Sequence, residues 1–313
     1  MRVLLTGASG FVGSHVLDLL VARDDSVRVL ALPETLDQVR HYDNVSLFPG
    51  SLADRDLITK AVRGVQVVYH LAGLRPGPPP SEINSVNVRG TENILRACVI
   101  GRTGRLVFSS STSVYDESSW PFGGPITEDT PRRTNSNGPL GHYAQSKIEA
   151  ENLIRRFQRR HGLEYVILRA PLVYGSARFD KLVLMELIDR PWLALTPRAQ
   201  FAHMQWVHVR DMAKATVLAG TRPKAANNTF NVAGGELFSL RDLSTLVWST
   251  MSNGQRARFF KYRPPLPVNR TLKYDLSRAR NTLEYTPQVS LAEGLDELLN
   301  KIGLRSDSEG WRS

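Results

Sequence analysis

Tyr143 and Lys147 stand four residues apart in Gly141-His142-Tyr143-Ala144-Gln145-Ser146-Lys147, where helical patterning begins. Four residues on a helix place a phenol and an ammonium on one face, one above the other. A cation beside a phenol favours the phenolate, so the pair is expected to lower the tyrosine pKa from about 10 toward the range of an acid–base catalyst. A second feature with chemical potential is the run Gly7-Ala8-Ser9-Gly10-Phe11-Val12-Gly13, placed between an apolar strand and a helix. Gly7 permits a tight turn, Gly10 lets the backbone approach a pyrophosphate, and Gly13 allows helix and sheet to pack closely. Other reactive types read as core. Cys98 lies in an apolar helical pattern without metal-ligand spacing, and His15, His70 and His208 sit in apolar surroundings. No His/Cys/carboxylate cluster predicts a metal.

The elements that must position these groups follow from the pattern. Strands are predicted at 2–6, 27–32, 45–48, 66–72, 105–109 and 164–168. Helices are predicted from the glycine turn to about residue 22, after Asp54, over 83–99 and over 141–161. Strands alternating with helices imply right-handed crossovers and an α/β, doubly wound parallel sheet with helices on both faces. After Gly175 the alternation loosens, and Pro191, Pro197, Pro223, Pro264, Pro265 and Pro267 punctuate the chain. This half reads as a smaller lobe that returns strands to the main sheet, for example Thr229-Phe230-Asn231-Val232. The division expected is 1–174 for dinucleotide binding and 175–313 mainly for substrate, with segments near 205–235 rejoining the sheet.

With 313 residues, 42% hydrophobic and 22% charged, the chain can bury a large core. No apolar run approaches the roughly 18 residues of a membrane span. The start of the chain lacks the pattern of a signal peptide, and a single cysteine fits a reducing, cytoplasmic compartment. The net charge of +10 is spread along the sequence, with one cluster at Arg155, Arg156, Arg159 and Arg160 that reads as a solvated helix face. No basic–aromatic interleaving or DNA-binding motif points to nucleic acid.

The pattern Thr6-Gly7-x-x-Gly10-x-x-Gly13 resembles that of the extended short-chain dehydrogenase/reductases, the nucleotide-sugar epimerase/dehydratase superfamily. The resemblance continues through His70-Leu71-Ala72-Gly73, Asn87-Val88-Arg89-Gly90-Thr91, Phe108-Ser109-Ser110-Ser111 with Val114-Tyr115, and the Tyr143/Lys147 pair. It then extends to Leu168-Arg169-Ala170-Pro171-Leu172-Val173-Tyr174-Gly175, Val207-His208-Val209-Arg210-Asp211 and Asp275-Leu276-Ser277-Arg278. It implies a Rossmann-type sheet with a smaller C-terminal substrate lobe. It also implies that Tyr143 exchanges a proton with a substrate oxygen while hydride moves to or from nicotinamide. Lys147 would hold the nicotinamide ribose and Ser111 would hydrogen-bond the substrate oxygen. Ser110 is expected to be structural; Ser109 lies nearer the strand than Ser111 but is also placed among the cofactor contacts. By the same resemblance the cofactor lies along Gly7, Ser9, Gly10, Phe11, Val12 and Gly13, then Leu32, Ser51 and Leu52. It continues past Leu71, Ala72 and Gly73 to Asn87, Ser109, Pro171 and Val173, with substrate near Arg75, Ser111, Thr112, Leu172 and Met204. Asn87 would fix a loop near the cofactor. Family members pair through two helices, here 83–99 and 141–161, so a homodimer is expected.

Departures from the family pattern leave choices open. The second strand ends in Ala31-Leu32-Pro33 rather than an acidic residue, and Ser51 stands where the family's third strand is followed by Asp. NAD is preferred over NADP; Glu34 can serve the ribose hydroxyls or be a loop carboxylate, and Arg40 would reverse the preference. Ser111-Thr112-Ser113 replaces the Thr-Asp-Glu of the 4,6-dehydratases, which speaks against water elimination. Leu172 and Met204 replace the Asn and Arg with which epimerases hold a diphosphate. Arg75, Arg263 and Arg270 are the alternative cations, and Phe179, Leu184, Met185, Trp192, Phe201 and Trp206 offer apolar surface. The readings are an NAD(P)-dependent oxidoreductase interconverting a secondary alcohol and a ketone, a nucleotide-sugar epimerase working through a transient keto sugar, and a non-catalytic dinucleotide sensor.

Overall fold

The computed structural model describes residues 1–116, 124–138, 140–175, 203–239, 242 and 271–301. The chain opens with β1 (Arg2–Thr6), α1 (Phe11–Val21), β2 (Ser26–Ala31), β3 (Val45–Pro49), α2 (Arg55–Ala61) and β4 (Val67–His70). There follow α3 (Pro80–Asn84), a π-helical turn (Ser85–Arg89), α4 (Gly90–Ile100), β5 (Arg105–Ser111), α5 (Gly141–His161) and β6 (Glu164–Ala170). Then come β7 (Val173–Tyr174), β8 (Val207–His208), α6 (Val209–Thr221), β9 (Asn228–Asn231), α7 (Ser277–Leu283) and α8 (Leu291–Lys301).

Seven strands form one parallel sheet in the order β3-β2-β1-β4-β5-β6-β9, and β7 pairs with β8 in a separate two-stranded ladder. The central strands are apolar on both faces because helices cover both. Val3, Leu5, Tyr69, Val107 and Leu168 pack toward α1 and α6, while Leu4, Val68, Leu106, Phe108 and Ile167 pack toward α2, α4 and α5. Local chemistry sets the helix ends: Asp54 caps α2 through Leu57 N at 2.9 Å, and Arg159, Arg160 and His161 complement the carbonyl end of α5. The predicted strand at 229–232 is β9, lying parallel beside β6. No described helix is long and apolar enough to cross a membrane.

β2 is shifted by one residue and β6 runs two residues beyond its expected end, to Ala170, and three elements differ in a way that bears on the site. β4 ends at His70, not residue 72, because the Thr6 hydroxyl takes the Ala72 N–H at 3.1 Å and draws the chain off the ladder. β5 runs on to Ser111, paired with β6 through Ser111 and Ala170. The helical region predicted at 83–99 starts earlier and is widened by the π turn, which carries Asn87 inward. Pro191, Pro197, Pro264, Pro265 and Pro267 lie outside the described residues.

Candidate active site

Between β1 and β4 the strand order changes direction, which opens a crevice at the carboxyl edge of the sheet. The glycine turn fills it. Gly7 has φ +78°, and a methyl there would lie 2.7 Å from Ala72 N. A methyl on Gly13 would lie 1.9 Å from Gly7 O. The turn, α1 and the end of β4 are therefore packed backbone against backbone. Gly10 caps α1 without a side-chain hydrogen bond, and no acidic residue stands in the first turn. The N–H groups at this end suit an anionic group such as a dinucleotide pyrophosphate.

The rest of the crevice is built by α5 against β5. Lys147 is buried, and its Nζ donates to the Ser109 carbonyl at 2.8 Å. It lies 4.8 Å from the Phe108 ring centroid and 5.8 Å from that of Tyr143. Tyr143 is half-buried beside the Ser111 side chain, whose Oγ accepts from Ser113 N at 3.1 Å. A methyl on Gly73 would fall 3.5 Å from Lys147 Nζ and 3.0 Å from Asn87 Oδ1. The glycine turn, the end of β4 and the Tyr143/Lys147 face thus form one continuous wall.

The expected lowering of the Tyr143 pKa is not what this wall produces. Burial raises it, and the Ser111 side chain and the Arg75 charge only partly oppose that. The reason is desolvation, which disfavours the phenolate and which a sequence does not display. Burial also lowers Lys147 to about 8, against the pull of Glu151.

The other predicted residues fall as follows. Asn87 is buried; its Oδ1 accepts from Leu74 N at 2.7 Å, and its Nδ2 donates to Leu74 O and to Ser146 Oγ, both at 3.0 Å. This fixes the loop that carries Gly73 and Arg75. His70 bridges the Thr6 and Thr91 hydroxyls, and burial lowers its pKa to about 3, so it is a neutral core residue. His208 is buried, whereas His15 is only half-buried, with Nδ1 3.0 Å from Phe11 O. Ser9, Phe11 and Val12 line the glycine turn, and Leu71, Ala72 and Gly73 follow β4. Leu32 is exposed after β2, and Ser51 and Leu52 follow β3, with the Ser51 hydroxyl accepting from Ala53 N. Glu34 is exposed in the 3₁₀ turn Pro33–Gln38. Arg40 is held by Asp18 at 2.6 Å.

Arg75 is exposed, with its charge acting on Tyr143. Thr112 is buried in the 3₁₀ turn Thr112–Val114 that follows β5. Pro171, Leu172 and Val173 continue β6 into β7; Leu172 is exposed and its carbonyl accepts from Val207 N. Met204 is half-buried and pairs through its backbone with Phe238, while Trp206 is buried against Tyr174 and Phe238. Phe179, Leu184, Met185, Trp192, Phe201, Arg263 and Arg270 lie outside the described residues. Among the described residues, no group of three or more His, Cys, Asp or Glu is placed to hold a metal.

Glu151 is the residue the sequence reading overlooked. It continues the stripe of Tyr143 and Lys147 by one more turn, and that spacing was the available signal. Its buried carboxylate accepts from Arg169 Nε at 2.9 Å and Nη2 at 2.6 Å, from Ser110 Oγ at 2.8 Å, from Arg155 at 3.1 Å and from Arg132 at 3.2 Å. Arg155 therefore leaves the solvated face to which its spacing assigned it.

Comparison with known proteins gives the setting. Residues 3–233 match the NAD dependent epimerase/dehydratase family. The chain is similar to a UDP-glucose 4-epimerase of Mycolicibacterium smegmatis, 28% identical over 94% of this chain and 96% of that protein. It is equally similar to a dTDP-glucose 4,6-dehydratase of Streptomyces niveus, 28% identical over 99% of this chain and 94% of that one. A crystal structure of UDP-glucuronic acid 4-epimerase from Bacillus cereus, in complex with UDP-glucuronic acid and NAD, superposes with a TM-score of 0.77. It shares 25% identity over 97% of this chain and 99% of that one.

Proposed function

Since the chain belongs to the NAD dependent epimerase/dehydratase family, whose members are NAD-using enzymes of the extended short-chain dehydrogenase/reductase type, we propose that it interconverts a secondary alcohol and a ketone by hydride transfer, with Tyr143 as acid and base. One observation carries the reading: the Tyr143 phenol, beside the Ser111 side chain, and the Lys147 ammonium share a wall with the glycine turn. Bound NAD supplies a hydride acceptor at its nicotinamide. The chain's own residues do the rest. Gly7, Gly10 and Gly13 would hold the cofactor's pyrophosphate at the N-terminus of α1, and Lys147 would hold its ribose. Ser111 orients the substrate oxygen, and Tyr143 takes its proton on oxidation and returns it on reduction. The Ser111 side chain and the Arg75 charge both favour the phenolate that this exchange requires.

Nucleotide-sugar 4-epimerisation is the second reading, supported by the relatives that carry such names. It uses the same proton and hydride exchange, performed twice on opposite faces of a transient ketone. Water elimination is not proposed, because Ser111-Thr112-Ser113 supplies neither a carboxylic acid nor a carboxylate. The apolar Leu172 and Met204 favour a substrate other than a tightly gripped diphosphate. The expected homodimer is part of this proposal, and light scattering of the purified protein tests it.

The deciding experiment is mass spectrometry of the nucleotide released from purified protein, followed by incubation with UDP-glucose. A retained NAD and conversion to the 4-epimer without net change at the nicotinamide band support the epimerase. Net reduction of added NAD by a secondary alcohol supports the oxidoreductase. Turnover unchanged by Tyr143→Phe sinks both.

A further inference from the structure

Three successive turns of α5 each engage one of three successive serines at the end of β5. Tyr143 lies beside the Ser111 side chain, Lys147 bonds the Ser109 carbonyl and Glu151 the Ser110 hydroxyl. The last contact has by far the strongest anchor. Arg169 lies opposite Ser110 in the β5–β6 ladder and forks onto both Glu151 oxygens. Its guanidinium lies 4.9 Å from the Tyr115 ring centroid and also donates to the Glu128 carbonyl at 3.0 Å. Arg132 and Arg155 complete the ring of donors. A carboxylate with this many donors is fixed in place and fully ionised.

We propose that Glu151 is a positioning residue for the reaction centre: anchored by Arg169, it locks α5 to the serine end of β5 and keeps a permanent negative charge one helical turn from Lys147. Among the described residues, the groups facing Lys147 are few. Glu151 and Tyr143 come from its own helix, Phe108 and Ser109 from β5, His70 from β4 and Asn87 from the π turn. His70 is neutral and Asn87 carries no charge, so Glu151 is the anion that opposes the desolvation of the ammonium. Burial alone would raise the Glu151 pKa, but the hydrogen bonds and charge of Arg169, the charge of Arg155 and the Ser110 hydroxyl hold it down to about 2. The role rests on the proposed function only in taking Lys147 as the residue that holds the cofactor.

The test reads Lys147 directly and needs no substrate. The protein is labelled with ¹³C at lysine Cε, the Lys147 resonance is identified by its loss in Lys147→Arg, and its titration is followed by NMR. In Glu151→Gln the midpoint is expected to fall by about one pH unit or more, the size of effect a nearby opposite charge exerts. Glu151→Asp, which keeps the charge on a shorter arm, should restore most of it. If Glu151→Gln alone does not fold, the double variant Glu151→Gln/Arg169→Met removes the carboxylate together with its main partner, and the same fall is expected. An unmoved Lys147 midpoint in a folded variant lacking the carboxylate overturns the proposal, leaving Glu151 a purely structural group. NAD titration by calorimetry across the same pH range separates the two ideas. If the midpoint falls while NAD affinity ignores it, Glu151 keeps its role and Lys147 loses the one assigned above.

Discussion

Gly13→Ala and Gly10→Ala should separate packing from ligand contact within one turn of chain. A methyl at Gly13 lies 1.9 Å from Gly7 O, 2.6 Å from Gly7 C and 3.0 Å from Ala8 Cα, all backbone atoms with no rotamer to yield. Restoring ordinary contact moves α1 from the turn by about 1.5 Å, against the buried packing of Val16, Leu17 and Leu20. Overpacking of this kind costs about 1–3 kcal/mol of stability. The same shift takes the first-turn N–H groups out of hydrogen-bond range of a seated phosphate. Each charge-assisted bond lost is worth about 1.5–3 kcal/mol, or about 10- to 100-fold in NAD affinity. Gly10 differs. Its φ of −80° suits alanine, and the methyl meets only Gly7 O, at 3.0 Å, which a few tenths of an ångström relieves. The melting temperature of Gly10→Ala should therefore stay near that of the parent while NAD affinity drops, because the methyl would occupy the place proposed for closest approach of the pyrophosphate. Thermal unfolding and calorimetric NAD titration of both variants make the comparison. A Gly10→Ala protein that binds NAD as tightly as the parent would refute the placement of the pyrophosphate over this turn.

Tyr143→Phe removes one oxygen from the wall, so NAD affinity should change less than about threefold while turnover falls by about 10²–10⁴-fold, the usual contribution of a positioned acid–base group; steady-state rates and NAD binding measured on one preparation decide it. Glu151 has a folded pKa near 2 against an ordinary 4.5. Its contribution, about 3 kcal/mol by linkage, is complete above pH 4.5 and is lost as pH falls toward 2. The gap in urea stability between the parent and Glu151→Gln should narrow over that window, and a constant gap counts against the buried ion pair. Cys98 is fully buried, and burial pushes its thiol up to about 12. Native protein should resist iodoacetamide and react only on unfolding, so rapid stoichiometric alkylation of folded protein would contradict the packing of α4.

Much of the fold could be read from the chain because its parallel strands are short apolar runs bounded by breakers. β1 and α5 fall within the expected limits for that reason. The π turn at Ser85–Arg89 could not be read, since one wider turn barely disturbs helical periodicity. What forces it is the pairing of Asn87 with Leu74 and Ser146, partners distant in sequence. Arg155 was misplaced for a related reason. Four arginines at helical spacing look like a solvated face, yet Arg155 turns inward to Glu151 and Thr229. The spacing of Tyr143, Lys147 and Glu151 was visible, but the desolvation that raises one pKa and lowers another depends on everything packed around them.

That desolvation gives the site its energetic character. Burial favours a neutral phenol at Tyr143 and a neutral amine at Lys147, the opposite of the ionised pair that proton exchange calls for. Lys147 titrates near 8 when folded and near 10.5 when unfolded. Below pH 8 both states are protonated and the buried ammonium costs about 3 kcal/mol, a cost that fades as pH rises through 10.5. Glu151 contributes about the same amount with the opposite sign at neutral pH. The two groups share one helix face and one strand end, so the anion held by Arg169 offsets the neighbouring buried cation. A strained reactive group persists when its surroundings over-determine it. Here the surroundings are Ser109 and Ser110, bonded to successive turns of α5, and loosening the Glu151 turn of that clamp should be felt at Lys147 before it is felt at the glycine turn.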